Sequence, residues 1–342
     1  MRLLIATALL LTVSSARAED EPLYKSSVVG TDFDYILESD PDMFVELTSK
    51  GQGKAEMPDK TDNAAALIKS AFLFVSNFKD GTSIDIAVDA RFESEEPARK
   101  EALRYTPRLG KLPTVLRRGV KRLVIHKGGE DATGFSDVGL IVLYSDNATK
   151  RIGTHDLEET VFHESVHAAL DKEHSASPGW LEAQKKDGRF VTKYARDNSK
   201  GEDLAESALF AYTLLHHPER IPKADAARIR GAIPARIAFV EKLLPPGKPI
   251  HFTVCLVDLT DPGTLSDVLS NALIGGLGKD EVTVQAFLKE ARGKSSKAED
   301  LFKSAMEKFG VSEAAMKAKV EEFRHCNCKH GDLDASPPGD KK

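Results

Sequence analysis

The chain has 342 residues, with 48 basic and 53 acidic side chains and a formal net charge of −5. This acidic balance disfavours contact with the phosphate backbone of nucleic acids, so we expect no nucleic-acid partner. The length exceeds that of a typical single domain and favours two domains. Beyond the N-terminal run, no apolar stretch is long enough to predict a membrane anchor.

The first residues, MRLLIATALLLTVSSARAED, are typical of a secretory signal peptide. Arg2 precedes an apolar run from Leu3 to Val13, and Ala16-Arg17-Ala18 has the small-residue pattern of a cleavage site. The run is shorter than the ~20 residues that a transmembrane helix needs. We therefore expect residues 1–18 to be removed and the mature protein to be secreted or periplasmic.

The next part of the chain mixes strand and helix patterns. Residues 19–65 are polar and weakly periodic and predict an irregular lead-in, with a helix expected within DNAAALIKSAFLFV (62–75). Alternating or continuous apolar residues predict three strands, and helical spacing with two prolines predicts an interrupted helical region. The strands are expected at 83–89, 121–127 and 138–144, and the helical region at 94–118.

The remaining chain is mostly helical by pattern. Helices are predicted at 156–171, 180–193 and 202–217, and the stretch LLPPGKP (243–249) cannot continue a helix and marks a domain boundary. The strands precede the main helices, so we predict an α+β domain over 66–245. A helical domain is expected over 250–330 and a disordered tail over 331–342.

The stretch VFHESVHAALDK (161–172) holds two histidines four residues apart. On a helix His163 and His167 share one face, ~6 Å apart along the axis, where two neutral imidazoles can bind one Zn²⁺. Glu164 flanks that face and can take a proton from an attacking water without binding the metal. This division of roles is that of the His-Glu-x-x-His motif of zinc peptidases.

A solvated helix face that carries histidine and glutamate by chance is the alternative. The residues around the motif argue against it because they are apolar: Val161, Phe162, Val166, Ala168, Ala169 and Leu170. A helix with such a composition is expected to be buried, and its polar side chains then need partners inside the protein. The context therefore favours a metal site.

A later segment, YARDNSKGEDLAESALFAY (194–212), offers a third ligand. A catalytic zinc site needs three protein ligands and one open position. Glu202 can supply a carboxylate, and Glu206, one turn later, can accept the remaining ring N–H of a ligand histidine. The alternative is a charged outer face of this helix. Four apolar neighbours disfavour that alternative: Leu204, Ala205, Ala208 and Leu209.

HESVHAALDK and the later YARDN…EDLAES together resemble the catalytic domain of anthrax lethal factor and related secreted bacterial proline-specific endopeptidases. The resemblance covers about residues 70–220 and, outside the two motifs, rests on the order of the elements. It implies a zincin-like catalytic domain, in which a small mixed sheet is followed by the metal-binding helices. It also implies a zinc peptidase of the two-His-one-Glu class.

The resemblance further assigns a role to each matching position. The implied roles are zinc ligand for His163, His167 and Glu202, general base for Glu164, histidine-orienting carboxylate for Glu206, and oxyanion donor for Tyr194. This chain departs from the family at Val166, where glycine is usual, and in the length of the link from Tyr194 to Glu202.

These features predict a secreted zinc endopeptidase that acts on a peptide or protein substrate. The strand at 138–144 is expected to lie along the cleft and to pair with an extended substrate backbone. Two alternatives stay open. The same ligands would serve a zinc amidase or an exopeptidase, and a peptidase fold that has lost catalysis would act as a binding module. The sequence predicts no particular oligomeric state.

Three cysteines follow the expected signal peptide. In an oxidising compartment we expect a disulfide between Cys255 and either Cys326 or Cys328, worth ~4 kcal/mol in the chain-entropy model. The alternative is a metal cluster in HCNCKH (325–330). Its Cys-x-Cys spacing is not the Cys-x-x-Cys spacing that is usual in zinc sites, which favours the disulfide.

Overall fold

The structure is a computed structural model of the 342-residue chain. It describes residues 21–61, 68–135, 137–251, 259, 262–294 and 297–323. The expected signal peptide (1–18), the three cysteines and the expected tail (331–342) lie outside these residues. Among the helices that are described, none combines the length and the apolar composition needed to cross a bilayer.

The protein has a mixed α+β fold, with a six-stranded sheet and a mostly helical remainder, which confirms this part of the prediction. It divides into two compact units, Met1–Phe78 with Ser83–Ile250 and Lys79–Thr82 with His251–Lys342. The six strands are β1 (Phe44–Glu56), β2 (Ile68–Phe78), β3 (Ser83–Asp89), β4 (Arg122–His126), β5 (Thr133–Phe135) and β6 (Leu140–Tyr144).

The first unit also carries ten α-helices among its described residues. They are α1 (Glu95–Ala102), α2 (Thr106–Lys111), α3 (Thr114–Gly119), α4 (Ser145–Gly153), α5 (Leu157–His174), α6 (Pro178–Asp187), α7 (Lys193–Asp197), α8 (Asp203–His216), α9 (Lys223–Ala232) and α10 (Pro234–Leu243). The predicted helices at 94–118, 156–171, 180–193 and 202–217 are confirmed as α1 to α3, α5, α6 and α8. Helix α6 ends early because Gly188 adopts a left-handed conformation, with φ 68°.

The strands are arranged in the order β1-β2-β3-β4-β6-β5. Strands β1, β2 and β3 pair antiparallel, β3 pairs parallel with β4 and β4 with β6, and β5 closes the sheet antiparallel to β6. The predicted strands at 83–89, 121–127 and 138–144 are confirmed as β3, β4 and β6. Strand β5, which the sequence did not predict, forms one edge of the sheet.

Two expectations for the N-terminal part are wrong. The lead-in at 19–65 contains a 13-residue strand, β1, and most of the helix predicted over 62–75 is replaced by β2; residues 62–67 lie outside the described chain. In β2 every second side chain from Phe72 to Phe78 is buried, and its main chain pairs with strands on both sides. This pairing outweighs local propensity. The sheet therefore begins at Phe44, ahead of the domain start expected at 66.

Helix α5 is buried along most of its length and packs against α3, α8 and β5. Its acidic residues Glu158 and Glu159 lie in the first turn and Lys172 in the last, as the helix dipole favours. Gly119 lets α3 approach closely, since a Cβ at this position would lie 2.2 Å from the Cβ of Ala169. Small residues thus allow α5 to sit deep in the first unit.

Residues 22–40, which we call the N-terminal strap, pack on the helices of the first unit. Tyr35 is fully buried, and its ring meets Phe210 of α8 edge-on at 5.6 Å. Arg220 forms an ion pair of 2.6 Å with Asp40 and donates to the carbonyl of Tyr35. Residues 22–40 therefore lack regular secondary structure, as expected, but side-chain contacts with Phe210 and Arg220 hold them in place.

The second unit is helical, as predicted for 264–324. Its elements are α11 (Pro262–Asn271), a π-helix (Ala272–Gly276), α12 (Glu281–Lys294), α13 (Ala298–Phe309) and α14 (Glu313–Phe323). These helices enclose a core of their own. Its fully or almost fully buried members include Leu269, Leu273, Val284, Leu301, Ala305 and Met316.

Glu159, in the first turn of α5, is a buried acid that is only 2% exposed. The strap backbone N–H of Ile36 donates to its Oε1 at 3.1 Å, whereas Oε2 makes no hydrogen bond with a described residue. Burial is the main cause that raises the pKa of Glu159 from 4.5 to about 7. A raised pKa means that folding favours the protonated acid.

We predict that Glu159→Gln changes the pH dependence of stability. Ionisation of a group whose pKa is raised on folding destabilises the fold. The loss in the free energy of unfolding begins near pH 4.5, the pKa in the unfolded chain, and reaches about 3 kcal/mol above pH 7, the pKa in the folded protein. The variant does not ionise, so its free energy of unfolding relative to the wild type should rise between pH 5 and pH 8. Urea unfolding of the metal-free proteins would measure it. Glu173→Gln, an exposed position on α5, is the control; a pH-independent difference for Glu159→Gln would contradict the prediction.

Candidate metal centre

Two helices bring three ligand groups together. Helix α5 places His163 and His167 on one face, and their Nε2 atoms lie 3.1 Å apart. Glu202, at the start of α8, places Oε2 at 3.2 Å from each of these nitrogens. The three residues that the sequence predicts as ligands therefore converge on one point, although 35 residues separate His167 from Glu202.

The geometry and the chemistry of this group fit a metal ion. Ligands bound at the usual zinc distances in a tetrahedral arrangement lie about 3.3 Å apart, close to the spacing of these three atoms. All three ligand atoms lie within 4.8 Å of one another, and two imidazoles with one carboxylate suit zinc and neighbouring transition metals. His163, His167 and Glu202 could thus hold a metal ion.

Each histidine has a carboxylate behind its other ring nitrogen. Asp171 accepts a hydrogen bond from Nδ1 of His167 at 2.7 Å. Glu206 Oε1 lies 3.6 Å from Nδ1 of His163, slightly beyond hydrogen-bonding distance. The sequence interpretation assigned Glu206 and missed Asp171. The spacing could have found Asp171, because it follows His167 by four residues on the same helical face.

The site stabilises positive charge between its ligand atoms. Although burial lowers the pKa of His167, hydrogen bonds to Asp171 and Glu202 and the charge of Glu164 raise it to about 10. Burial raises the pKa of Glu202, but hydrogen bonds from both histidines hold it well below its usual range. A proton or a metal ion can supply this positive charge.

Glu164 and Tyr194 lie next to the ligand group. Glu164 is 8% exposed, and its negative charge contributes to raising the pKa of both His167 and Tyr194. Partial burial and the carboxylates of Glu202 and Glu164 raise the pKa of Tyr194 to about 12. Its hydroxyl therefore stays protonated at neutral pH and can donate a hydrogen bond. Tyr194 is 43% exposed, so a ligand can reach it.

The position of Tyr194 depends on the short helix α7. Thr192 caps this helix, since its hydroxyl accepts a hydrogen bond from the N–H of Ala195 at 3.0 Å. The N–H of Tyr194 donates to the carbonyl of Lys25 in the N-terminal strap, also at 3.0 Å. Both contacts fix the main chain that carries the tyrosine.

Strand β5 packs directly against α5 next to His167. A Cβ on Gly134 would lie 2.5 Å from the carbonyl oxygen of Glu164 and 2.7 Å from the Cβ of His167. Strand β6 pairs with β4 on one side and β5 on the other, so the expectation that 138–144 pairs with substrate is wrong. Among the described strands, β5 is the one at this edge of the sheet.

A buried charge cluster anchors the start of α8. Arg236 of α10 donates to Asp203 at 2.8 Å and to Asp187 at 2.9 Å, and all three side chains are at most 1% exposed. Gln184 donates to the same Asp203 carboxylate at 2.7 Å. Asp203 therefore turns away from the ligand group, while the preceding Glu202 turns toward it.

No protein-family model, curated protein or solved structure matches this chain. The resemblance to the lethal factor catalytic domain therefore stays a prediction that rests on the two motifs. The zincin-like fold, the identity of the metal and the roles of Glu164 and Tyr194 are likewise proposals. The spatial convergence of His163, His167 and Glu202 is independent of that resemblance.

We predict that Gly134→Ala disturbs the site. The added methyl group cannot fit between β5 and α5, so the strand must move away from the ligands, at a cost of about 1–3 kcal/mol in the free energy of unfolding. Urea unfolding and metal titration would measure both effects. Gly153→Ala is the matched control, because a Cβ there meets no atom within 4 Å. Equal stability and equal metal affinity for both variants would contradict the close approach of β5.

Proposed function

We propose that the protein is a secreted zinc-dependent endopeptidase with a zincin-like catalytic unit. The observation that carries this proposal is the convergence of two imidazoles and one carboxylate within 3.2 Å of one another, with Glu164 beside them. Zinc is the metal proposed, because this ligand set leaves a fourth position for water or substrate. The signal-peptide pattern of residues 1–18 is the reason for proposing export.

The residues around the ligand group suit hydrolysis of a peptide bond. Zinc, when bound, supplies Lewis acidity that polarises a carbonyl and makes a water more acidic. Glu164 would accept the proton of the attacking water and pass it to the leaving amine. The protonated hydroxyl of Tyr194 would donate to the oxyanion that develops on the substrate carbonyl, a contact worth ~3 kcal/mol in comparable donors.

The outer edge of β5, which is the last strand of the sheet among the described residues, suits an extended peptide. A substrate that adds to this edge would be held by main-chain hydrogen bonds, and Gly134 keeps the edge close to the metal ligands. Main-chain pairing along a strand accepts the interior of a polypeptide, which favours an endopeptidase over an enzyme that needs a free terminus.

The alternatives are separated by the substrates that are cleaved. Peptides blocked at both termini should be cleaved by an endopeptidase but not by an exopeptidase, and an amidase should prefer non-peptide amides. A binding module should take up zinc stoichiometrically and cleave no member of a broad peptide library. We expect cleavage of blocked peptides.

We predict one tightly bound zinc per chain. His167→Ala removes one of three ligands and should reduce zinc in the purified protein to a small fraction of the wild-type content. His174→Ala is the matched control on the same helix, because His174 contacts the ring of Phe239 and lies outside the ligand group. Zinc affinity should also weaken progressively as the pH is lowered, since protons compete for the histidines. Elemental analysis showing equal zinc in His167→Ala and wild type would refute the ligand assignment.

We predict that Glu164→Gln and Glu202→Gln fail in different ways. Glu164→Gln keeps the size of the side chain but removes its basicity, so zinc should stay bound while turnover falls by ~10⁴. Glu202→Gln should first lose zinc, and excess zinc should partly restore its activity. Single-turnover cleavage with parallel zinc analysis would distinguish the two. A Glu164→Gln enzyme that keeps a tenth of wild-type turnover would show that this glutamate is not the base.

A further inference from the structure

The carboxylate of Glu206 is held by the N-terminal strap. The backbone N–H of Ser27 donates to its Oε2 at 2.7 Å, and the Ser27 hydroxyl donates to Oε1 at 3.0 Å. The hydroxyl of Ser26 donates to Oε1 at 3.1 Å. Two adjacent strap residues thus supply three hydrogen bonds to one carboxylate that is fully buried.

These bonds bear on the metal-binding face because Glu206 is the acid nearest to Nδ1 of His163, at 3.6 Å. That nitrogen is buried and makes no hydrogen bond with a described residue. The Glu206 carboxylate is therefore the group placed to orient and polarise His163 from behind the ring. A buried carboxylate holds one position only if donors fix it.

The backbone of the strap is shaped to present these donors. A Cβ on Gly30 would lie 2.3 Å from the N of Ser26, so the turn from 26 to 30 closes tightly on itself. The Thr31 hydroxyl donates to the carbonyl of Ser27. Just before the serines, Tyr24 pairs with the segment that leads into α7, and the carbonyl of Lys25 accepts from the N–H of Tyr194.

We propose that Ser27, assisted by Ser26, is a positioning residue of the metal centre. It fixes the Glu206 carboxylate behind His163, which in turn orients the ligand nitrogen toward the metal. The inference rests on the proposed zinc site. Partners that orient a ligand histidine commonly change metal affinity by 10–100-fold when removed. Because the N–H of Ser27 remains after side-chain substitution, the expected loss lies at the lower end of this range.

Zinc affinity of the full mature chain tests this role. Competition with a chelating dye should give a zinc dissociation constant about tenfold higher for Ser27→Ala than for the wild type. Ser26→Ala, at a less buried position, removes one hydrogen bond to Glu206 and the bond that the hydroxyl accepts from the N–H of Val28. It should raise the zinc dissociation constant about threefold and provides a second variant if Ser27→Ala does not fold. Thr213→Val is the matched control, since this buried α8 hydroxyl donates to the carbonyl of Leu209 and should leave zinc affinity unchanged.

A double-mutant cycle separates positioning from general stability. If Ser27 acts through Glu206, Ser27→Ala should have little further effect on zinc affinity in a Glu206→Gln background. Unfolding of the zinc-free proteins should be measured alongside. Unchanged zinc affinity in Ser27→Ala, or fully additive effects in the cycle, would overturn the role of Ser27, even if stability falls. Either result would leave the proposed metal centre standing. A wild-type chain that binds no zinc would overturn both the inference and the proposed metal centre.

Discussion

The burial of α5 is the constraint on which the rest of the first unit depends. This helix carries histidines, glutamates and hydroxyls into the interior, where polar groups are costly unless they are paired. The surrounding elements supply the partners. Helix α2 provides Arg108 and Lys111 for Glu158, and the strap provides a backbone N–H for Glu159. Further along, acids on α5 and α8 face the two histidines. The elements that surround α5 therefore supply partners for its buried polar side chains.

At the start of α8, two adjacent acidic side chains point in different directions because each has its own charged or polar partners. Glu202 and Asp203 are adjacent acids, and each has partners on a different side of the helix. Asp203 is paired with the fully buried Arg236, and loss of either partner would leave an uncompensated charge in the interior. Such a pair adds little net stability, but its geometry is satisfied in the rotation of α8 that the structure shows. That rotation brings Glu202 to the histidines and Glu206 to Ser27.

The proposed metal centre is assembled from segments that are far apart in the chain. Helix α5 supplies two ligands and the proposed base, α8 supplies the third ligand, and the strap holds Glu206. Strand β5 closes the arrangement from the side of the sheet, where Gly134 allows main chain to touch main chain. A metal centre of this kind would need its supporting contacts to be as well defined as its ligands. Here those contacts come from the buried charge cluster at the start of α8, from Gly134, and from Ser26 and Ser27.

The sequence alone determined the features that depend on local spacing. Four residues along a helix return to the same face, so the relation of His163 to His167 and of Glu202 to Glu206 followed from their positions, as did strands β3, β4 and β6. The tertiary structure decided what depends on pairing between distant segments. Strands β1 and β2 formed where local pattern indicated an irregular segment and a helix, because cross-strand pairing outweighed propensity. The contact of Ser27 with Glu206 joins residues 179 positions apart. No local period encodes such a contact, since it exists only once the core has packed.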